Sequence, residues 1–302
     1  MFPNLPAANR PPPRRILYVY ERMMGQVVPI LFLFASIYTM HVGTEYILAP
    51  FVGRSNWANY ILFGWSSLLV LLGWLSFYLG RTTDPGSIPS EIGHQMPPEM
   101  RNQQNWCDQC ENVKPPRAHH CRRCKRCIIR MDNHCVILNN CVGLYNWKYF
   151  VSTFVYLFLA SVNGLLLMSL RFYYNSTFNP DTNERIHCII FTLLCSFFGW
   201  IGYKHGNMHL NLAMLNLTSI EYLTLPAYIS LNFCQRYGIK WSRISNYDKG
   251  WRHNLIMVLG EPAITWFMPW VKPRSPWGPL PCTCKRRKTT VNRDVIRGHR
   301  RD

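Results

Sequence analysis

Acidic residues are scarce in this 302-residue chain: 15 Asp and Glu stand against 33 Lys and Arg, and charged residues of both signs make up only 16% of it. The apolar blocks carry no paired charges of the kind that channels and transporters place inside a bilayer, which sets that class aside. The start lacks the form of a cleaved secretory leader, being proline-rich and followed by an apolar block that is too long and begins too late. No helix with exposed base-reading residues accompanies the excess of 18 positive charges, so nucleic acid is not an expected partner.

What is abundant is apolar: 48% of the chain, gathered into long blocks separated by polar, basic segments. The blocks from Gln26 to Leu48, Trp57 to Gly80, Phe150 to Leu170 and Ile186 to Tyr203 each approach the roughly 20 residues that a helix needs to cross a bilayer. Runs of this length, edged by Trp57, Tyr60, Tyr149, Tyr173 and Tyr174 at interfacial depth, favour membrane spans over the core helices of a soluble protein. The first block is the least regular, because it holds Pro29, His41 and Glu45. Cys188 and Cys195 read as packing residues of the fourth block, since a buried free cysteine behaves as a small hydrophobe.

Basic residues set the orientation. Arg10, Arg14, Arg15 and Arg22 lie at the start, the segment from Arg81 to Lys148 is rich in Arg and Lys, and "KRRK" and "RGHRR" lie near the end, whereas the loops near Arg54 and from Arg171 to Arg185 hold few. The positive-inside rule predicts both termini and the long central loop in the cytosol. The sequon Asn175-Ser176-Thr177 then falls in a lumenal loop, while Asn216-Leu217-Thr218 is cytosolic and expected to stay unmodified. The basic tail is expected against anionic headgroups. Beside it, Cys282 and Cys284 read either as acylation sites or as plain exposed thiols.

Seven of the twelve cysteines lie between Cys107 and Cys141, in the loop assigned to the reducing cytosol, where metal binding is the default over disulfides. A C-x2-C step forms a knuckle that points two thiolates at one ion, and three overlapping steps with histidines between them predict structural zinc. The segment offers seven cysteines and three histidines, whereas two closed sites use eight ligands, so one of each is surplus. Adjacent residues such as His120 and Cys121 cannot readily face one ion, so the two sites interleave along the chain. The same holds for His134 and Cys135. Spacing alone leaves open whether Cys135 is a ligand, a spare thiol or a nucleophile. A zinc finger for nucleic acid or protein is the other reading of a basic cluster, and it fits poorly between two membrane spans.

The stretch "CDQCENVKPPRAHHCRRCKRCIIRMDNHCVILNNCVGLYNWKYF" resembles the cysteine-rich domain of the DHHC-type protein S-acyltransferases, or palmitoyltransferases, down to its closing Asn146 and Phe150. Elsewhere "TTDPG" is similar to that family's Asp-Pro-Gly element at Asp84, Pro85 and Gly86. "LTSIEYL" is similar to its Thr-Thr-x-Glu element at Thr218, Ser219 and Glu221, and "NYDKGWRHNLIMVLG" to its C-terminal aromatic motif at Asn246, Tyr247, Gly250 and Asn254. The resemblance implies an all-α polytopic membrane protein with four transmembrane helices and a cytosolic zinc-binding domain between the second and third. Residues 1–80 would carry the N-terminus and first two helices, 81–149 the catalytic domain, 150–215 the other two helices and 216–302 a cytosolic C-terminal region.

The same resemblance implies one zinc on Cys107, Cys110, His120 and Cys127 and a second on Cys121, Cys124, His134 and Cys141, both structural rather than Lewis-acidic. Cys135 would then take a fatty acyl group from acyl-CoA as a thioester and pass it to a cysteine of a substrate protein. Lys114, Arg117 and His119 would lie near the CoA phosphates. The implied partners are fatty acyl-CoA, proteins with membrane-proximal cysteines and the bilayer, and the implied setting is an endomembrane, endoplasmic reticulum or Golgi.

The sequence departs from the family pattern in three places. The tetrapeptide reads Asp132-Asn133-His134-Cys135, with an amide where the family has the base that activates the cysteine and is oriented by the aspartate. An amide cannot take the thiol proton, and losing a positioned base costs a factor of about 100 to 10,000 in rate. Cysteine survives such a loss better than other nucleophiles, because a few per cent of it ionises at neutral pH without help. Val136-Ile137 replaces a Pro-Trp pair expected to shape the acyl entrance, and Thr218-Ser219 replaces Thr-Thr. Two functions remain: an acyltransferase with weakened self-acylation, or an acylation-incompetent member that serves as an adaptor or chaperone.

Overall fold

A computed structural model describes residues 14–53, 56–89, 106–174, 181–224 and 247–271. The sequon at Asn175, the motif residue Asn246, Lys and Arg of the tail, and Cys282 and Cys284 lie outside the described residues. Four long helices carry the apolar blocks. Helix α1 (Arg14–Val42) runs through Pro29 into a π-helical turn (Gly43–Leu48) and a short α2 (Ala49–Val52). Helices α3 (Trp57–Thr82), α4 (Trp147–Tyr174) and α5 (Thr182–Met214) complete the set, and each is long and apolar enough to span a bilayer. Their outer faces expose Leu31, Leu71, Leu166 and Leu193, as lipid-facing helices do.

The fourth helix runs eleven residues beyond the apolar block that announces it, which stops at Tyr203. Hydropathy fails there because Lys204, His205, Asn207, His209 and Asn211 interrupt it, yet the backbone continues helical to Met214. Close approach fixes its crossing with α4: a Cβ on Gly202 would sit 2.7 Å from the Phe158 nitrogen.

Between α3 and α4 the cysteine-rich segment folds into three antiparallel hairpins: β1 (Trp106–Cys107) with β2 (Asn112–Val113), β3 (His119–Cys121) with β4 (Arg126–Ile128), and β5 (Asn133–Cys135) with β6 (Asn140–Val142). The Asp84-Pro85-Gly86 element leads into them. Asp84 accepts hydrogen bonds from Gly86 N and Ser87 N at 2.8 and 2.7 Å, in a turn whose φ of +108° at Gly86 only glycine adopts without strain. Asn140 and Asn146 close the other side. Asn140 Nδ2 donates to the carbonyls of Gly80, Arg81 and Thr83, and Asn146 Nδ2 to those of Gly80 and Cys141, satisfying the orphan carbonyls at the end of α3.

The chain after α5 returns to this junction. Thr218 and Glu221 form a reciprocal cap on the short helix α6 (Ser219–Thr224), with Thr218 N donating to Glu221 and Glu221 N to Thr218 Oγ1. Helix α7 (Trp251–Leu259) follows, tied back by Asn254 Nδ2 to the Met214 carbonyl at 2.8 Å. Lys148, fully buried at the start of α4, donates to the carbonyls of Thr265 and Val271. One core therefore joins five elements of the chain: Phe77 of α3, Leu138 and Val142 of the third hairpin, Phe150 of α4, Ala213 of α5 and Val258 of α7.

Candidate functional site

The hairpins sort the ligands by strand alternation, since successive side chains on a strand point to opposite faces. His120 lies across from Cys127 in one hairpin and His134 across from Cys141 in the next. Cys121 and Cys135, each one residue further, face the other way. The result is two interleaved sets, Cys107, Cys110, His120 and Cys127, and Cys121, Cys124, His134 and Cys141, with the ligand atoms of each set within 4.8 Å of one another. His120 Nδ1 stands 3.1 to 3.8 Å from its three sulfurs and His134 Nδ1 3.5 to 3.6 Å from its own. A zinc tetrahedron with Zn–S of about 2.3 Å and Zn–N of about 2.0 Å has S···N edges of about 3.5 Å, so the imidazole of each set stands at a distance from its sulfurs that suits the ion.

Behind the sorting lies a repeat of fourteen residues that spacing analysis of the cysteines overlooked. Cross-strand pairs recur at Trp106 and Val113, His120 and Cys127, and His134 and Cys141. Left-handed turn residues recur in step at Glu111, Lys125 and Asn139. Knuckle positions recur at Cys107 and Cys110, Cys121 and Cys124, and Cys135 and Leu138. Each metal set takes a knuckle from one hairpin and a cross-strand pair from the following one. The first pair, Trp106 and Val113, has no preceding knuckle, and the last knuckle has no following pair. Cys135 is that last knuckle's cysteine, and buried Leu138 stands where its partner thiol would be.

The peptide N–H groups of a knuckle still serve that thiol. Cys121 Sγ accepts Cys124 N at 3.4 Å, and Cys135 Sγ in the same way accepts the N–H groups of Leu138 and Ile137. Burial pushes the Cys135 thiol above its ordinary range, and these two donors offset only part of that. The thiol is half-buried, packed against the Phe77, Leu138 and Phe150 cluster. Trp74 of α3 packs on the same cluster and also lines an apolar cavity between α1, α3, α4 and α5, together with Phe32, Thr39, Tyr156 and Phe198. Gly25 of α1 brings that helix against the turn beside Cys135: a Cβ there would lie 2.6 Å from the Val136 carbonyl oxygen. Ile137 is exposed beside it.

Asp132 is buried and accepts three hydrogen bonds: Ser219 N at 2.8 Å, Ser219 Oγ at 3.0 Å and Asn133 Nδ2 at 3.2 Å. Serine thus performs at 219 what a threonine hydroxyl would. Asn133 Oδ1 is buried without a hydrogen-bond partner among the described residues. His209 Nδ1, from the polar end of α5, lies 3.4 Å from the same carboxylate. That histidine was missed because the apolar block ends before it.

Of the residues expected near CoA phosphates, Arg117 is committed to the fold. It grips Glu221 through Nε at 2.6 Å and Nη2 at 2.7 Å, donates to Asn216 Oδ1 and the Asn216 carbonyl, and lies over the Tyr247 ring at 4.4 Å. Asn216 is thereby buried. Lys114 and half-buried His119 adjoin this pair. Burial is the main cause that lowers the His119 pKa, with Glu221 opposing and Lys114 adding to it. Neither His119 nor Cys135 belongs to a metal set.

The Arg117–Glu221 pair carries a pH signature. Burial alone would raise the Glu221 pKa, but the hydrogen bonds and charge of Arg117 overcome it and hold the carboxyl below the ordinary glutamate value of 4.5. A depressed carboxyl supplies stability that is present above the unfolded value and lost as pH falls through the native one. Thermal melts are therefore expected to show a wild-type advantage over Glu221→Gln at neutral pH that shrinks as pH drops below 4.5.

A profile of the DHHC palmitoyltransferase family matches residues 100–225. Among curated relatives, probable protein S-acyltransferase 16 of Arabidopsis thaliana is 30% identical over 253 residues, covering 78% of this chain and 83% of its own. Probable protein S-acyltransferase 12 of the same plant is 28% identical over 229 residues, 70% of this chain and 73% of its own. Palmitoyltransferase ZDHHC7 of Mus musculus is 36% identical over 158 residues, 49% of each chain. With the hairpins, the two ligand sets and these matches together, the chain belongs to the DHHC palmitoyltransferase family.

Proposed function

We propose that this chain is a protein S-acyltransferase that moves a fatty acyl group, palmitoyl foremost, from acyl-CoA through a Cys135 thioester to cysteines of membrane-associated proteins. The names of its relatives support the activity, and they favour it over a purely adaptor role. The observation that carries the assignment of Cys135 is its place in the repeat: a knuckle thiol with no metal set to join, still served by two peptide N–H groups. In the first step the Cys135 thiolate attacks the thioester carbonyl carbon of acyl-CoA, the new S–C bond forms, the bond to the CoA sulfur breaks and the CoA thiolate picks up a proton. In the second a substrate cysteine thiolate attacks the acyl-Cys135 carbonyl and the Cys135 thiol is restored. The N–H groups of Leu138 and Ile137 favour the charged sulfur in both.

The cavity between the spans offers the acyl chain an apolar berth that starts at the Trp74 cluster beside the thiol. Lys114 and His119, next to the Arg117–Glu221 pair, would meet the CoA phosphates, with Arg117 holding that region together rather than binding them. The two Cys3His sets would hold structural zinc, which would supply rigidity by fixing the third hairpin and with it the thiol. We place both termini and the hairpins on the cytosolic side of an endomembrane, on the distribution of Arg and Lys. The acyl step is tested with labelled palmitoyl-CoA, which should give a hydroxylamine-sensitive adduct that is absent from Cys135→Ser. The orientation is tested by protease in cells whose plasma membrane alone is permeabilised: tags at both ends should be cleaved, and a protected end reverses the topology.

A further inference from the structure

The family's tetrapeptide base is missing at Asn133, yet an imidazole stands at the same carboxylate. His209 is 3% exposed, its Nδ1 is 3.4 Å from Asp132 Oδ2, and that nitrogen has no hydrogen-bond partner among the described residues. Asn133 Nδ2 donates to the very same oxygen at 3.2 Å. Asn133 and Cys135 share one face of β5 because side chains alternate along a strand. On the other side, the His209 ring meets Phe150 edge to face at 4.8 Å, and Phe150, with Leu210 and Ala213 from the same turn of α5, belongs to the cluster on which Cys135 packs. The titratable groups that act on His209 are Asp132 and His205 a turn earlier, itself stacked on Phe154, while Cys135 packs on the far side of the Phe150 cluster.

We propose that His209 is the proton acceptor for Cys135, held by Asp132 through Nδ1–H, so that α5 supplies the imidazole that the tetrapeptide lacks. Nε2 takes the thiol proton while the Cys135 sulfur bonds to the acyl carbon and the acyl bond to the CoA sulfur breaks. His209 then gives the proton to the CoA thiolate, so atoms and charge balance within one turnover. The 3.4 Å separation puts Asp132 Oδ2 within reach of Nδ1, and the proposal requires this contact to tighten in the reacting complex. The inference rests on Cys135 being the nucleophile.

The test is a cycle in the full-length protein, reading the initial rate of Cys135 labelling by palmitoyl-CoA and, separately, its alkylation by iodoacetamide. Zinc content serves as the check on folding. His209→Asn keeps an amide donor for Asp132 but no proton acceptor, and His209→Gln stands beside it in case either packs badly. Both should lower both rates about 100-fold or more in the Asn133 chain. In an Asn133→His background, where a tetrapeptide base is present, the same changes should cost about tenfold or less. An equal loss in both backgrounds makes His209 a structural residue and overturns the proposal, as does no loss in the native one. Labelling of Asn133→His but not of wild type overturns it too, while leaving Cys135 as the nucleophile. If no variant acquires a label at Cys135, the nucleophile assignment itself falls and takes this inference with it.

Discussion

Serine in place of Cys135 is expected to leave no hydroxylamine-sensitive palmitoyl adduct, while two zinc ions remain bound and thermal stability stays near that of wild type. The separation of the two readouts follows from the hairpins. Cys135 belongs to neither ligand set, so exchanging its sulfur for oxygen removes no metal bond. The donors at Leu138 and Ile137 are peptide N–H groups and remain in place. What is lost is the nucleophile, because a serine hydroxyl is far harder to ionise than a thiol, and any ester it did form would be an oxyester rather than a hydroxylamine-labile thioester. If Cys135→Ser still acquires a hydroxylamine-sensitive adduct, another cysteine carries the acyl group. If it loses zinc instead, Cys135 is a ligand and the repeat has been misassigned.

Removing a ligand is expected to act in the opposite way. Cys141→Ala should bring bound zinc below two per chain, unfold the third hairpin and abolish acylation with the thiol of Cys135 intact. Cys141 is fully buried, lies across the hairpin from His134 and sits 3.4 Å from Cys124. A closed zinc site contributes on the order of 10–16 kcal/mol to folding, comparable to the whole stability of a typical domain, so a site reduced to three ligands cannot hold the hairpin. Cys110→Ala should do the same to the first set. Because Cys124 and Cys121 come from the hairpin that also gives His120 and Cys127 to the other ion, damage at one site is expected to weaken the second. Metal analysis and protease sensitivity of the loop read the outcome. Two zinc ions retained, or unchanged stability after either substitution, would dismiss the interleaved arrangement.

The chain itself declares its local regularities. Apolar blocks about a bilayer thick announce the spans because lipid demands length and hydropathy from contiguous residues. Knuckles announce metal because two thiolates three residues apart converge without help from the rest of the fold. Even the division into two ligand sets is written in the alternation of neighbours such as His120 and Cys121, and the fourteen-residue repeat leaves Cys135 as a knuckle cysteine with no following pair. Tertiary structure alone decided the pairings across long separations. Ser219 reaches Asp132 across 87 residues and Arg117 reaches Glu221 across 104, and no local period links either pair. The family resemblance implies Arg117 near the CoA phosphates, and only the tertiary structure shows its bidentate grip on Glu221. His209 is the sharpest case. Its polar neighbours hide the end of α5 from hydropathy, and its meeting with Asp132 exists only because the packing of α4 against α5 and the closing of the third hairpin onto the end of α3 bring two distant segments to one carboxylate.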